Sequence, residues 1–210
     1  MCGICGFIDL DPTLYGKERA ITESMLDTLV RRGPDEFGIH LIPGGAFAMR
    51  RLAVIDPQGG HQPIIDETTG VVLVYNGELY NYKTLRSQLI QKGHQFKSES
   101  DSEVVLRAYI EWGRGFVSRF NGMFAIAILD PRNGQMHLAR DHLGQKPLYY
   151  WRSNKGLAFG SSLHTLLRHP EVEFELNTNA IIDYLNYQQQ YFLMKILTLI
   201  IASYKVAFYL

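Results

Sequence analysis

Short apolar runs broken by turn residues, with helical stretches scattered among them, limit the fold of this 210-residue chain most strongly. Residues 3–9 read as a buried first strand. Val71-Val72-Leu73-Val74-Tyr75 is a β-branched run, and Asn76-Gly77 after it predicts a tight turn. Residues 124–129 and 135–139 flank Asp130-Pro131-Arg132-Asn133-Gly134, a predicted hairpin; residues 148–151 and 157–160 flank another turn. Apolar residues recur at helical spacing in three places. The first helix carries Ile21, Met25, Leu26, Leu29 and Val30 and should end at Gly33-Pro34. The second carries Leu85, Leu89 and Ile90 and is closed by Gly93. The third carries Val104, Val105, Ala108, Tyr109 and Trp112; the capping box Ser100-x-x-Glu103 opens it and Gly113 ends it. Hairpins and helices mixed without regular βαβ units argue for antiparallel sheets with helices packed on them. No internal repeat is visible.

Composition narrows the function classes. The length suits one or two domains with a substantial core. Lys plus Arg number 21 and Asp plus Glu number 21, so nothing points to nucleic acid or an anionic surface. No basic stretch followed by an apolar run opens the chain, so no signal peptide is expected. Two cysteines three apart make no disulfide framework, and a cytoplasmic location is expected. Cys2-x-x-Cys5 has no second Cys pair and the seven histidines are scattered, which argues against metal or redox chemistry.

The chemistry centres on the second residue. Cys2 follows initiator Met1. Removal of Met1 would place a free α-amine and a thiol on one residue. The amine, with an ordinary pKa of about 7.7–8.0, is close enough to neutrality to serve as base for the thiol. The bland alternative is a small buried cysteine in a first strand. Four further segments stand out: Arg31-Arg32-Gly33-Pro34-Asp35, Arg51-Leu52-Ala53-Val54-Ile55-Asp56, Asn76-Gly77-Glu78-Leu79-Tyr80-Asn81 and Ser100-Asp101-Ser102-Glu103. Each has an ordinary reading by itself. Asn76-Gly77 suits any hairpin. Asp101 suits the first turn of a helix, and Arg31-Arg32 the last turn of the one before. Arg51 beside Arg50 suits a solvated pair, and Glu78 an exposed acid.

Together with Cys2-Gly3-Ile4, these segments resemble the class II, N-terminal-nucleophile glutamine amidotransferases. Within that class they look most like the glutaminase domain of glutamine-hydrolysing asparagine synthetases. The resemblance covers residues 1–189 and includes Arg140-Asp141-His142-Leu143-Gly144-Gln145-Lys146-Pro147-Leu148-Tyr149. It implies an α+β fold, the N-terminal-nucleophile αββα sandwich: two antiparallel sheets face to face between helical layers. It implies hydrolysis of glutamine to glutamate and ammonia through a γ-glutamyl thioester on Cys2. The resemblance carries Asn76 and the Gly77 N–H over as the oxyanion hole and Arg51 as the holder of the α-carboxylate. Glu78 and Asp101 would bind the α-ammonium group, and backbone near Val54 and Ile55 would line the pocket. Cys5 has no role and reads as core.

The resemblance further implies that no cofactor or metal serves this half. ATP and magnesium belong to a synthetase domain whose Ser-Gly-Gly-x-Asp-Ser loop does not occur here. The partners it implies are glutamine and, for the ammonia, a separate synthetase chain. An inactive truncated remnant, a glutamine-binding module, or the ammonia-supplying half of an enzyme with a sugar acceptor are the alternatives.

Residues 190–210 depart from this pattern. They contain no Gly, Pro or acidic residue, and 191–201 is apolar almost all round. Three readings stand open: an out-of-frame tail, a membrane- or partner-binding segment, and a helix packed on the domain. A span of about 20 apolar residues could cross a membrane, though Lys195 and Lys205 fall inside it.

Overall fold

The computed structural model describes residues 1–9, 12–53, 56, 58–173 and 206–209. Two five-stranded sheets carry it. The first contains β1 (Gly3–Asp9), β2 (Glu36–Ile42), β3 (Gly45–Arg51), β8 (Tyr149–Arg152) and β9 (Gly156–Gly160). Its order is β2-β3-β1-β9-β8, antiparallel throughout. The second contains β4 (Ile64–Ile65), β5 (Val72–Leu79), β6 (Gly122–Asp130), β7 (Gln135–Arg140) and β10 (Val206–Tyr209). Its order is β10-β7-β6-β5-β4, antiparallel except that β10 runs parallel to β7.

Strand alternation explains how the layers form. Ile4 and Ile8 of β1 and Val72 and Val74 of β5 share one buried cluster with Phe47, Phe159, Ala125 and Leu138. These residues face inward, sheet to sheet. The intervening Cys5 and Phe7 face outward, against Met25, Leu26 and Leu29. Those three lie on or just after α1 (Glu18–Asp27), which shares this outer face with α4 (Leu163–Leu166). Leu73, Tyr75 and Leu79 of β5 likewise face outward, onto α2 (Tyr82–Gln91) and α3 (Asp101–Trp112). Period-two strands thus bury both of their faces, and the result is helix, sheet, sheet, helix. The α+β sandwich and the 130–134 hairpin of the sequence analysis are present.

Four local expectations are corrected. Asn76-Gly77 is no turn: β5 continues through it, with Asn76 opposite Ala125 and Gly77 opposite Phe124. Pairing with β6 along the whole strand outweighs the dipeptide's preference for a turn. The first helix stops at Asp27 rather than Gly33, and tight turns carry the chain on through Arg32. Val30 and Ile90 are 41% and 53% exposed, since both lie just past the stripe that meets the sheet. Ser100-x-x-Glu103 is not a reciprocal box. Ser100 Oγ accepts from the Ser102 N–H. The Glu103 carboxylate reaches back to the N–H groups of Lys97 and Ser98 instead.

Val206–Tyr209 form a strand on the edge of β7. The boundary at 189, the 190–205 segment, and Val54 and Ile55 lie outside the described residues. Among the described residues no helix is long and apolar enough to cross a membrane.

Candidate active site

Cys2 enters β1 on the side set by the same alternation. Residues 2, 4 and 8 share a face, and Cys2 packs at the rim of the inter-sheet core. Asn76 occupies the next inward position on β5 after Val72 and Val74. The Cys2 thiol and the Asn76 amide are therefore brought together from the two sheets. Between them lies a cavity of about 170 Å³. Cys2, Arg51, Asn76, Gly77, Glu78 and Asp101 all line it, so six of the eight residues singled out in sequence converge.

The thiol is held by backbone. The Leu52 N–H donates to Cys2 Sγ at 3.4 Å, and the S–H donates to the Leu52 carbonyl at 3.6 Å. Arg32 Nε donates to the Cys2 carbonyl at 3.1 Å. The Ile4 N–H donates to Ser161 Oγ at 2.9 Å, which ties down the start of the strand. The Arg-Gly-Pro-Asp segment acts as a support for this corner. A Cβ at Gly33 would come within 2.3 Å of the Arg50 carbonyl, so only glycine lets the loop lie on β3. Asp35 then accepts from the Ala53 N–H at 2.8 Å. Met1 also lines the cavity and is 59% exposed.

Asn76 is 1% exposed, and among the described residues its Nδ2 has no hydrogen-bond partner. A buried amide donor left unmade costs about 1–3 kcal/mol, which marks it as a group awaiting a ligand. Alternation also fixes the direction of the Gly77 N–H. The N–H groups two residues either side leave the sheet: Tyr75 donates to Gln62 Oε1 at 2.7 Å and Leu79 to Asp101 Oδ2 at 3.0 Å. Gly77 shares their side, away from β6. A Cβ there would sit 2.5 Å from the Met123 carbonyl and 2.6 Å from the Tyr75 ring.

Asp101 is 4% exposed at the start of α3. Burial pushes its carboxyl above the ordinary aspartate value; bonds from the Leu79 N–H and Tyr75 hydroxyl oppose this but do not cancel it, and nearby Glu78 adds to the rise. Burial also drives the Tyr75 hydroxyl well up, followed by the charge of Asp101. Tyr75 therefore acts as a donor that orients the carboxylate.

Arg51 is 4% exposed and held from two sides. Its Nη1 donates to Glu36 Oε1 at 2.6 Å and its Nη2 to the Asp56 carbonyl at 2.7 Å. The other Glu36 oxygen meets His61 Nδ1 at 2.7 Å. Burial raises the Glu36 carboxyl, but the bonds to Arg51 and His61 outweigh it and hold it below its ordinary value. Asp56, at φ +46°, accepts from the Gly59 and Glu99 N–H groups and so ties the loop to the approach of α3.

Sequence reasoning missed Gln62, Tyr75, Ser100, Ser102 and Lys146, which line the same cavity. Lys146 and Tyr75 lie in segments already singled out, though neither was given a role. Gln62 carries no sequence mark at all; its side-chain carbonyl reaches the site by accepting from the Tyr75 N–H of β5.

Two facing sheets between helical layers, with Cys2 at the sheet rim and Asn76 lining the same cavity, have the architecture of an amidotransferase domain. The chain belongs to the glutamine amidotransferase domain family, whose model it matches over residues 1–205. It is similar to asparagine synthetase [glutamine-hydrolyzing] 3 of Bacillus subtilis, with 39% identity over 86% of this chain and 30% of that protein. It is also similar to asparagine synthetase [glutamine-hydrolyzing] 2 of rice, with 38% identity over 79% of this chain and 28% of that protein. The chain thus spans under a third of the length of these relatives. In structure it resembles the glutamine phosphoribosylpyrophosphate amidotransferase of B. subtilis, with TM-score 0.62 and 21% identity over 79% of this chain and 43% of that one. A second likeness, to an allosteric regulatory enzyme of purine biosynthesis, has TM-score 0.66 and 22% identity over 80% and 43%. Both show the fold.

Proposed function

We propose that this domain hydrolyses glutamine to glutamate and ammonia, with Cys2 as the nucleophile. The reading rests on one observation: the Cys2 thiol and the buried, unpartnered Asn76 Nδ2 face one cavity that Arg51 and Asp101 also line. With Met1 removed, the Cys2 α-amine takes the thiol proton as sulfur attacks the carboxamide carbon. The carbonyl electron pair moves onto oxygen, where the Asn76 Nδ2–H and Gly77 N–H receive it. The amine then delivers its proton to the leaving nitrogen, the C–N bond breaks, and ammonia departs from a γ-glutamyl thioester. Water adds to the thioester, giving up a proton to the amine. The C–S bond breaks, the thiol is re-formed, and glutamate leaves. Arg51 holds the α-carboxylate, with Glu36 fixing its plane; a guanidinium fork suits that contact. Asp101 and Glu78 hold the α-ammonium, and backbone around Val54 and Ile55 completes the pocket.

The half-reaction as written uses only this chain's residues and water. For the ammonia we propose an asparagine-forming synthetase, by analogy with the relatives' names, one that uses aspartate, ATP and magnesium as the family resemblance implies, on the same or a separate chain. We place the amidotransferase unit at residues 1–189.

Glutamate release from glutamine, measured on protein shown by mass spectrometry to lack Met1, tests the reading. Release should be lost in Cys2→Ala while the fold persists. It should also be lost when Met1 is retained, because the amine is then displaced from the thiol. Wild-type release by Cys2→Ala would overturn the assignment of the nucleophile. Glutamine binding without turnover would favour a sensor, and neither binding nor turnover a remnant.

A further inference from the structure

We infer that Lys146 is a further catalytic residue of this site: its ammonium stabilises the negative charge that develops at the reacting end of glutamine and persists in the γ-carboxylate of glutamate. The inference rests on the glutamine-hydrolysis reading above. Lys146 lines the cavity and is only 7% exposed. Among the described residues its Nζ makes no hydrogen bond and no ion pair. It thus brings to the cavity a positive charge that no described protein group neutralises.

The segment before it is a knot of side chain to backbone. Arg140 Nε donates to the Lys146 carbonyl at 2.7 Å and Arg140 Nη2 to the Gly144 carbonyl at 2.6 Å. The Asp141 carboxylate accepts from the N–H groups of Gln145 and Lys146, at 2.8 and 3.0 Å, and of Phe124, at 3.1 Å. Phe124 is the strand partner of Gly77. One carboxylate thus ties Lys146 to β6 at the level of the proposed oxyanion donors.

The placement of charge makes the assignment. Asp101, Glu78 and Arg51 line the same cavity. They account for the α-ammonium and α-carboxylate of the substrate. Lys146 is the remaining Lys or Arg among the described residues that line the cavity, which leaves the other end of the bound molecule for its charge. That end is a neutral carboxamide in the substrate, an oxyanion in the tetrahedral states and a carboxylate in the product. A cation there favours the charged states over the neutral ground state, which is what lowers a barrier. No proton moves to or from Lys146; it acts by charge alone. A cavity of 170 Å³ is about 7 Å across if spherical, so an ammonium on its wall acts at Coulombic range. Glutamate should consequently be a tighter-binding product than its head groups alone would make it.

The test uses the full chain without Met1, as wild type, Lys146→Met and Lys146→Arg. Lys146→Met should lower kcat for glutamine by about 10- to 100-fold with KM nearly unchanged, and weaken glutamate inhibition by about 10-fold. Lys146→Arg should restore most of both. The melting temperature of Lys146→Met should hold, because the ammonium makes no described bond for the variant to lose. Unchanged kcat and unchanged glutamate inhibition in Lys146→Met would overturn the inference. So would a fall in melting temperature that Lys146→Arg also shows, since the lysine would then be structural. Calorimetric glutamate binding to Cys2→Ala, with and without Lys146→Met, gives a readout independent of turnover; equal affinities would also overturn it. Absence of Cys2-dependent release from the wild type would sink the glutamine-hydrolysis reading instead.

Discussion

Asp101 shows how one carboxylate serves two ends. It is a buried acid at a helix start, so its environment raises its pKa, yet the proposed role needs it charged. Acidification should therefore protonate it at a pH above the ordinary aspartate value of about 3.9. The KM for glutamine is expected to climb as pH falls into that window, while kcat moves less. In Asp101→Asn the amide oxygen can still accept from the Leu79 N–H and the Tyr75 hydroxyl, so the fold should survive. Its KM should rise by about 10- to 100-fold, the worth of a charged hydrogen bond, and lose its dependence on pH in this range. Steady-state kinetics between pH 4.5 and 8, inside the about 4–9 span that leaves both Asp and the N-terminal amine in view, would check both points. A pH-dependent KM retained by Asp101→Asn would remove Asp101 from the role. The family resemblance named Asp101 within Ser100-Asp101-Ser102-Glu103 but could not show Tyr75 beneath it. Those two residues are 26 apart and meet only because α3 crosses the outer face of β5.

Among the elements, α3 illustrates why local motifs mislead about partners. Ser100-x-x-Glu103 has the composition of a capping box, and the helix does begin there. The Glu103 carboxylate, however, gathers the Lys97 and Ser98 N–H groups and the Ser98 hydroxyl, and Arg107 joins it at 3.5 Å. It thereby orders the 97–99 segment, whose Glu99 N–H reaches Asp56 and, through Asp56, the loop that meets Arg51. Glu103→Ala should cost about 1–3 kcal/mol of stability and raise the glutamine KM, although the residue never touches substrate. Urea unfolding together with kinetics would separate this from a simple capping loss, which would lower stability and leave KM alone. The continuation of β5 through Asn76-Gly77 has the same origin. A dipeptide that turns in a short hairpin is carried straight by eight ladder partners on β6, and its straightness is what presents the amide and the N–H to the cavity.

For the molecule as a whole, acidic groups with lowered pKa values tie loops to the sheets. In Asp141, burial raises the carboxyl, but backbone N–H bonds from Lys146, Gln145, Phe124 and Leu143 outweigh it. In Asp66, burial is likewise outweighed, by bonds from Thr69 and by the ion pair with Arg107. A carboxyl depressed in the folded state binds fewer protons there than in the unfolded chain. Its contribution is therefore present above the unfolded value of about 4 and is lost as pH falls through the folded one. Stability by denaturant titration should be flat near neutrality and decline below about pH 4, less steeply in Asp141→Asn; a decline already complete at pH 5 would contradict this. The sequence by itself determined β1, β6, β7, β8 and β9, the first part of β5, the helices α1, α2 and α3 and, through the family resemblance, six residues that line the cavity. Periodicity and turn chemistry are local, and each functional segment carries its own residues wherever the chain takes them. The tertiary structure alone decided that β5 runs on through Asn76-Gly77, that Asn76 faces Cys2 across two sheets, and that Glu36 backs Arg51. It also decided that Gln62, Tyr75 and Lys146 close the site. Those are contacts between residues far apart in the chain, chosen by which faces must be buried against each other, and no local pattern encodes that choice.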